Sequence, residues 1–283
     1  MLAAIMVHVD FDEGAEHRIS VAASLADRFN SALIGIAGWP PRKNLVVLGR
    51  SRTTGAVVDA VLEFEAGEEG RQKISAQLER LGEKFRRIAK VNGRSTEWRS
   101  FVNFPSEVIA REARAADLVI IGRDPLPGDD VHTFDPGTVI LAAGRPVLVV
   151  PSGIRHLEAE RILIAWKDTR EARRTVSDAL PFLKKAQSVN IVEVSEQGME
   201  DPARERIADV AKYLARHHVA IGTQIATAGN RAEGPLLLRL AKEQKADLII
   251  AGAYGRTRLG EWIFGGVTRE LLAASEVCCL FSH

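Results

Sequence analysis

The 283-residue sequence predicts an α/β protein with two tandem, open-twisted, parallel five-stranded sheets that carry helices on both faces. Short apolar runs rich in β-branched residues alternate with segments of helical periodicity, which is typical of β-α units with right-handed crossovers. The same order of segments also occurs twice along the chain. The sequence therefore predicts two copies of one sheet.

The repeat is visible in the residue offsets. AADLVIIG, ending at Gly122, matches KADLIIAG, ending at Gly252, at an offset of 130 residues. IMVHVD, from Ile5, matches ILIAWK, from Ile162, at an offset of 157 residues. Because the two offsets differ by 27, the first half must contain a 27-residue insertion.

Each half is predicted to be a domain, residues 1–152 and residues 158–283, joined by a segment that holds Pro, Gly and charges. In the first half, apolar runs predict strands near 2–9, 32–38, 95–102, 117–122 and 146–150, and helical spacing predicts helices near 14–29, 57–90, 105–115 and 137–143. In the second half, the same two patterns predict strands near 161–166, 188–194, 219–226, 247–252 and 277–281, and helices near 170–185, 202–217, 234–244 and 265–275.

The insertion predicts a long amphipathic helix. Apolar residues recur there at spacings of four and three, at Ile74, Leu78, Leu81, Phe85 and Ile88. A helix with this pattern buries one face against a sheet or a neighbouring subunit. The segment before it, residues 40–55, is interpreted as a surface loop, with a cover over the sheet edge as the alternative.

Composition excludes several classes of function. The chain is 46% apolar and 27% charged, its formal net charge is only +1, and it has no Lys- and Arg-rich block, so general nucleic-acid binding is not expected. A membrane role is not expected either, because no apolar run approaches the ~18 residues needed for a span. The beginning of the sequence lacks a basic region, which predicts a cytoplasmic protein. Cys278 and Cys279 are adjacent, so a disulfide framework is excluded.

The glycines between Gly252 and Thr268, in GAYGRTRLGEWIFGGVT, form the most specific motif. A strand predicted to be buried on both faces ends at Gly252, and a helical segment begins after Gly265 and Gly266. Free N–H groups in a first helical turn suit phosphate oxygens, and glycine lets an anion approach the backbone. The motif therefore predicts a phosphate site, with a simple strand-loop-helix turn as the alternative.

The spacing G-x2-G-x9-G resembles the nucleotide-binding signature of the universal stress protein family, in its ATP-binding branch. The resemblance implies an adenine nucleotide alpha hydrolase-like, or Rossmann-like, fold and ATP with Mg²⁺ in the second half. It departs from the family pattern at Gly266, where Ser or Thr is usual. The resemblance implies a backbone contact from Val194 to adenine. It also implies contacts to the ribose and phosphates from Gly252, Gly255, Gly265, Gly266, Val267 and Thr268. Arg256, between the glycines, would counter phosphate charge.

The base-binding end differs from the family pattern. An acidic residue commonly ends the first strand in the family; the first half keeps it as Asp10, whereas the second half has Lys167 followed by Asp168. Asp168 would substitute for the acid, or Lys167 would reach the phosphates. Equally, Asp168 or Thr169 would cap the following helix.

The first half is predicted not to hold a triphosphate. At the 130-residue offset, Gly255 becomes Pro125, Gly265 becomes Asp135 and Gly266 becomes Pro136. Proline has no N–H, and a carboxylate would stand where a phosphate belongs. The nearby acidic loop is interpreted as solvated rather than as a metal site; its candidate ligands are Asp124, Asp129, Asp130, His132 and Asp135.

No catalytic constellation is present in the sequence. The resemblance covers both halves and implies a tandem universal stress protein, a regulator or sensor that binds an adenine nucleotide and hydrolyses it slowly at most. It also implies that the last strands of the two halves pair within the chain, and it leaves a homodimer open. Two alternatives remain: an interaction or small apolar-ligand module without nucleotide, and an ATP-dependent enzyme of a related fold.

Overall fold

The computed structural model describes residues 1–12, 14–40, 44–45, 62–63, 68–89, 95–123, 134–227, 232–253 and 265–283. Both halves alternate strands and helices as the apolar patterns predict. The first half contains β1 (Ala4–His8), α1 (Gly14–Phe29), β2 (Ala32–Gly38), β3 (Asn44–Leu45), β4 (Leu62–Glu63), α2 (Glu68–Ile88), β5 (Thr96–Phe101), α3 (Pro105–Glu112), β6 (Leu118–Gly122), α4 (Pro136–Ala142) and β7 (Val147–Val150). A single 3-10 turn, Ala113–Ala115, follows α3.

The second half repeats this order without the insertion. It contains β8 (Arg161–Trp166), α5 (Arg170–Asp178), α6 (Leu180–Leu183), β9 (Ser188–Ser195), α7 (Glu200–Arg216), β10 (Gly222–Thr227), α8 (Glu233–Glu243), β11 (Leu248–Gly252), α9 (Gly266–Ala274) and β12 (Cys278–Ser282). The helix predicted over 170–185 is interrupted, since α5 ends at Asp178 and Pro181 lies in the first turn of α6.

The predicted α/β class is confirmed, and the two predicted five-stranded sheets are joined at their last strands into one sheet. The ten long strands form one sheet in the order β10-β9-β8-β11-β12-β7-β6-β1-β2-β5. All neighbours are parallel except β7 and β12, which pair antiparallel with Leu148 opposite Leu280. This is the predicted pairing of the last strands. It is favourable because both strands are fully buried, and an open apolar edge would invite association.

The insertion forms a shorter helix than predicted. Helix α2 begins at Glu68 rather than near residue 57, and Leu62–Glu63 is a two-residue strand that pairs antiparallel with Asn44–Leu45. Gly67 and the β-branched residues before it disfavour an earlier helix start. The predicted apolar stripe is confirmed, because Ile74, Leu78, Leu81 and Phe85 are buried.

The core lies on both faces of the sheet. Cys278 packs in the cluster beneath α1, α2, α5 and α7, and Cys279 packs in the cluster on the other face, as strand alternation predicts. Burial raises the pKa of both thiols, that of Cys279 to about 12, so neither is a reactive thiolate. Among the described residues, no helix combines the length and apolar character that crossing a membrane requires.

Candidate functional site

A cavity of about 540 Å³ lies at the carboxyl edge of β8, β9 and β11, and we call it the C-terminal cavity. Three helices begin there, because α5, α8 and α9 follow strands whose carboxyl ends meet at this edge. Its size falls within the roughly 300–1,000 Å³ typical of small-molecule sites. Its lining includes five predicted residues of the second half's motif, Gly252, Gly265, Gly266, Val267 and Thr268, together with Val194 and Lys167.

The three helix starts differ in how their free N–H groups are satisfied. Helix α5 is capped by Thr169, whose hydroxyl accepts from the Ala172 N–H at 3.2 Å, and it has Glu171 in its first turn. Helix α8 has no side-chain cap, but it carries the negative charge of Glu233 in its first turn. Helix α9 begins after Gly265, which has no side chain to offer, and it has no acidic residue in its first turn. Of the three starts, that of α9 combines uncapped N–H groups with a first turn that carries no negative charge, which suits an anionic ligand.

The first helical hydrogen bond of α9 confirms which donors remain. The Arg269 N–H donates to the Gly265 carbonyl at 3.1 Å. The N–H groups of Gly266, Val267 and Thr268 precede it and have no partner within the helix. All three residues line the C-terminal cavity, and the Thr268 side chain is buried beside them.

The corresponding helix of the first half shows the opposite arrangement. Asp135, at the position of Gly265, caps α4 with its carboxylate, which accepts from the Gly137 N–H at 3.1 Å and from the Thr138 N–H at 2.9 Å. The Thr138 hydroxyl donates to the same carboxylate at 2.6 Å. A carboxylate thus occupies the donors that a phosphate would use, as the sequence predicts.

The space beside α4 is also filled. The corresponding cavity of the first half measures only about 100 Å³. His8 stacks on Phe134 at a centroid distance of 4.7 Å, and Trp39 and Phe11 meet edge to face at 5.5 Å. These aromatic side chains line what remains of the opening, so the cavity that the described residues of the first half form there is too small for a nucleotide.

Asp10, the acidic residue that the first half retains, forms an ion pair with Arg18 inside the protein. Asp10 accepts from the Arg18 guanidinium at 2.8 Å, and Arg18 also donates to the His8 carbonyl at 2.8 Å. Burial opposes ionisation of Asp10, but the charge of Arg18 and its hydrogen bond lower the Asp10 pKa overall. Burial lowers the pKa of His8 to about 4, so its ring is neutral at neutral pH. Arg18 lies against Gly122, where a Cβ would collide with the guanidinium.

The motif glycines of the second half serve different purposes. A Cβ on Gly252 would lie 2.5 Å from the Ala172 nitrogen, so Gly252 is required where β11 packs against the start of α5. Among the described residues, a Cβ on Gly265 would find only the Thr268 hydroxyl, at 3.9 Å, and a Cβ on Gly266 would find nothing within 4 Å. The alternative of a structural glycine thus applies to Gly252, whereas no described residue crowds the Cβ positions of Gly265 and Gly266.

The structure separates the two candidates for the base-binding end, Asp168 and Lys167. Asp168 does not line the C-terminal cavity; it pairs with Arg173 at 2.7 Å and lines a separate cavity, while Thr169 is the helix cap. Lys167 does line the C-terminal cavity, where its Nζ lies 3.7 Å from a Glu233 carboxylate oxygen. Gly255 and Arg256 lie outside the described residues, as do Asp124, Asp129, Asp130 and His132 of the acidic loop.

Sequence reasoning missed three carboxylates of the cavity lining, Glu171, Glu233 and Glu270. Burial opposes ionisation of Glu171, but a hydrogen bond from Arg170 lowers its pKa overall. Glu171 and Glu233 could have been found from the sequence, because each lies in the first turn of a helix that follows a strand. Such a turn lies at the carboxyl edge of the sheet.

Chain topology and the cavity at the carboxyl edge define a tandem α/β protein with one mostly parallel sheet. The model of the universal stress protein family matches residues 158–281, so the second half belongs to that family. No curated protein matches the chain in sequence.

Three solved structures share the fold over the whole chain. A universal stress protein from Archaeoglobus fulgidus is 15% identical with a TM-score of 0.71, and the match covers 99% of this chain and 95% of that one. A functionally unknown protein from Pseudomonas aeruginosa PAO1 is 16% identical, with a TM-score of 0.59 and coverage of 99% and 92%. A putative universal stress protein from Pseudomonas aeruginosa UCBPP-PA14 is 16% identical, with a TM-score of 0.56 and coverage of 99% and 93%. Similarity at this level of identity supports the fold of both halves.

Proposed function

We propose that this protein is a stress-response regulator or sensor that binds ATP, with Mg²⁺, in the C-terminal cavity alone. The observation that carries the proposal is the contrast between two corresponding helix starts. Asp135 caps α4 with its own carboxylate, whereas Gly265 leaves the first turn of α9 open beside a cavity of about 540 Å³. An anion from outside would stabilise α9 as Asp135 stabilises α4.

The described residues suggest how the nucleotide would lie. The phosphates would accept from the N–H groups of Gly266, Val267 and Thr268, with the Lys167 ammonium nearby as a mobile counter-charge. Val194, at the carboxyl end of β9, borders the other side of the cavity and would meet the adenine through its backbone. Gly255 and Arg256 stay predictions for the phosphate side.

Mg²⁺ would arrive with the nucleotide and neutralise part of the phosphate charge. Glu233 and Glu270 both line the cavity, and carboxylate oxygens are suitable outer partners for the hydrated ion. A metal also resolves an electrostatic conflict, because these carboxylates would otherwise repel the phosphates. We therefore expect tighter binding of ATP with Mg²⁺ than without it.

The proposed role is regulatory rather than catalytic, with slow hydrolysis at most. Cytoplasmic location, a homodimer and the absence of nucleic-acid partners stay predictions from the sequence. A module that binds no nucleotide is the alternative, and the ion pair of Lys167 with Glu233 favours it, because it engages the nearest lysine.

The two repeats supply matched variants for a test. The unfolding midpoint is measured with ATP and Mg²⁺, with AMP and with buffer alone. Only an additive that binds the folded state should raise this midpoint. Thr268→Val should weaken ATP binding roughly three- to tenfold by removing one hydroxyl partner. Thr138→Val, whose hydroxyl is already used by Asp135, should leave ATP binding unchanged. No midpoint shift with any nucleotide would support the alternative.

A further inference from the structure

A residue of the first half contacts the helix that carries the proposed phosphate site. Arg123 follows β6, and its guanidinium donates to the carbonyl oxygen of Ser275 at 2.6 Å. Helix α9 ends at Ser275, whose backbone is extended. The hydrogen bond therefore joins the two halves at the carboxyl end of α9, while the start of the same helix borders the C-terminal cavity.

Sheet topology explains why an arginine of the first half reaches this helix. Strands β7 and β12 pair antiparallel, so the carboxyl edge of the first half is the amino edge of the second half. Gly122, the last residue of β6, pairs with Val150. The neighbouring Val149 lies opposite Cys279, close to the start of β12. Arg123 directly follows Gly122 and therefore lies where α9 leads into β12.

Helix α9 is packed more thinly than its counterpart α4. Two of its nine residues are buried, Thr268 and Leu271, whereas four of the seven residues of α4 are buried. Near the start of α9, Glu270 packs on α8 at Gly234, where an added Cβ would lie 2.5 Å from the Glu270 Cβ. Because a helix with few buried residues and an uncapped start gains little from its own packing, contacts at its ends matter more for its position.

The Arg123 guanidinium lies at the end of α9 that a cation stabilises. The last carbonyl groups of a helix have no partner within it, and the helix dipole places partial negative charge there. Helix α9, which the structure describes throughout, has no basic residue in its own last turn. Arg123 therefore supplies, from the other half, a donor and a positive charge that α9 lacks.

The second half makes a similar contact with the last helix of the first half. Arg174 of α5 donates to the carbonyl oxygen of Gly144, just beyond α4, at 3.1 Å. Arg174 is not one of the described residues that line the C-terminal cavity. Loss of this bond would remove the same kind of contact between the halves without touching α9, so the two arginines form a matched pair for experiments.

We propose that Arg123 is a positioning residue for the nucleotide site and that it acts through α9. The N–H groups of Gly266, Val267 and Thr268 face the cavity together only while α9 is docked on the sheet. A helix released at its other end presents these donors in a smaller fraction of molecules, and the apparent affinity falls with that fraction. The first half thus contributes to a site that lies in the second half. This inference rests on the nucleotide function proposed above.

Calorimetric titration of the full chain with ATP and Mg²⁺ tests the proposal. Arg123→Met removes the donor and the charge, and it should weaken ATP binding roughly three- to tenfold, the effect of one hydrogen bond. Arg123→Lys keeps a cation at the end of α9 and should restore part of that loss. Arg174→Met should leave the affinity unchanged. Unchanged affinity in Arg123→Met, or an equal loss in Arg174→Met, would overturn the proposal.

Hydrogen exchange of the unliganded chain separates this inference from the nucleotide function. The amides of α9 should exchange roughly three- to tenfold faster in Arg123→Met, and at the unaltered rate in Arg174→Met. If the unaltered chain binds no ATP, the proposed function is wrong, whereas faster exchange of α9 still supports its docking by Arg123. Unchanged exchange of α9 overturns the inference in either case. If Arg123→Met does not fold, Arg123→Gln replaces it with the same expected result, because it also removes the charge.

Discussion

Gly265→Asp transfers the helix cap of the first half into the second half. In α4, the Asp135 carboxylate accepts from N–H groups two and three residues ahead, at 3.1 and 2.9 Å. The new carboxylate at residue 265 would reach the N–H groups of Val267 and Thr268 in the same way. Its Cβ meets no close contact among the described residues, of which the Thr268 hydroxyl alone lies within 4 Å, at 3.9 Å.

The substitution should change stability and ATP affinity in opposite directions. An Asp cap in place of Gly stabilises a helix by a few tenths of a kcal/mol, and its charge at the helix N-terminus adds about 0.3–1 kcal/mol. Two charge-assisted hydrogen bonds to phosphate would be lost, at about 1.5–3 kcal/mol each. ATP affinity should therefore fall at least roughly 100-fold while the unliganded chain becomes slightly more stable.

Calorimetric titration with ATP and Mg²⁺ measures the affinity, and thermal unfolding of the unliganded chain measures the stability. Asp135→Gly is the reciprocal variant: it should lower the unfolding midpoint without creating a second ATP site, since Pro136 lacks an N–H and the cavity there is only about 100 Å³. Unchanged ATP affinity in Gly265→Asp would refute the proposed phosphate site. A large loss of stability in Gly265→Asp would show that an Asp at residue 265 does not cap α9 as Asp135 caps α4.

Three further predictions concern single side chains. Gly266→Ser should tighten ATP binding roughly three- to tenfold in calorimetry, because its Cβ contacts none of the described residues and its hydroxyl adds one phosphate partner; weaker binding would contradict this geometry. Gly252→Ala should destabilise the chain by about 1–3 kcal/mol in denaturant unfolding, because the new Cβ meets the Ala172 backbone, whereas Gly266→Ala should cause no comparable loss. Burial lowers the pKa of His8 to about 4, so between pH 6.5 and 4 the His8 ring takes up a proton only when the chain is unfolded. Stability should therefore fall with falling pH in that window, by about 1.4 kcal/mol per unit from His8, and His8→Leu should lose this part of the dependence.

Periodicity and repeat offsets predicted most of the fold. Runs of apolar β-branched residues mark the inner strands, which are buried on both faces, and the predicted ranges of all ten strands of the large sheet agree with the structure within a few residues. The long helix of the insertion was the weakest prediction, because its apolar stripe indicates a helix but not where the helix begins. Pairing of Asn44–Leu45 with Leu62–Glu63 depends on contacts between segments distant in sequence, which periodicity does not report.

The sequence by itself determined the asymmetry of the two halves. An offset of 130 residues without a gap aligns Asp135 with Gly265. At a helix start, an Asp side chain can cap the free N–H groups and a glycine cannot. Only the tertiary structure decided which residues share a cavity. It brought Glu233 and Lys167 together at one sheet edge, turned Asp168 toward another cavity, and left space between α5 and α7. The physical reason is that side-chain direction and packing between distant helices depend on how elements cross the sheet, which local sequence does not specify.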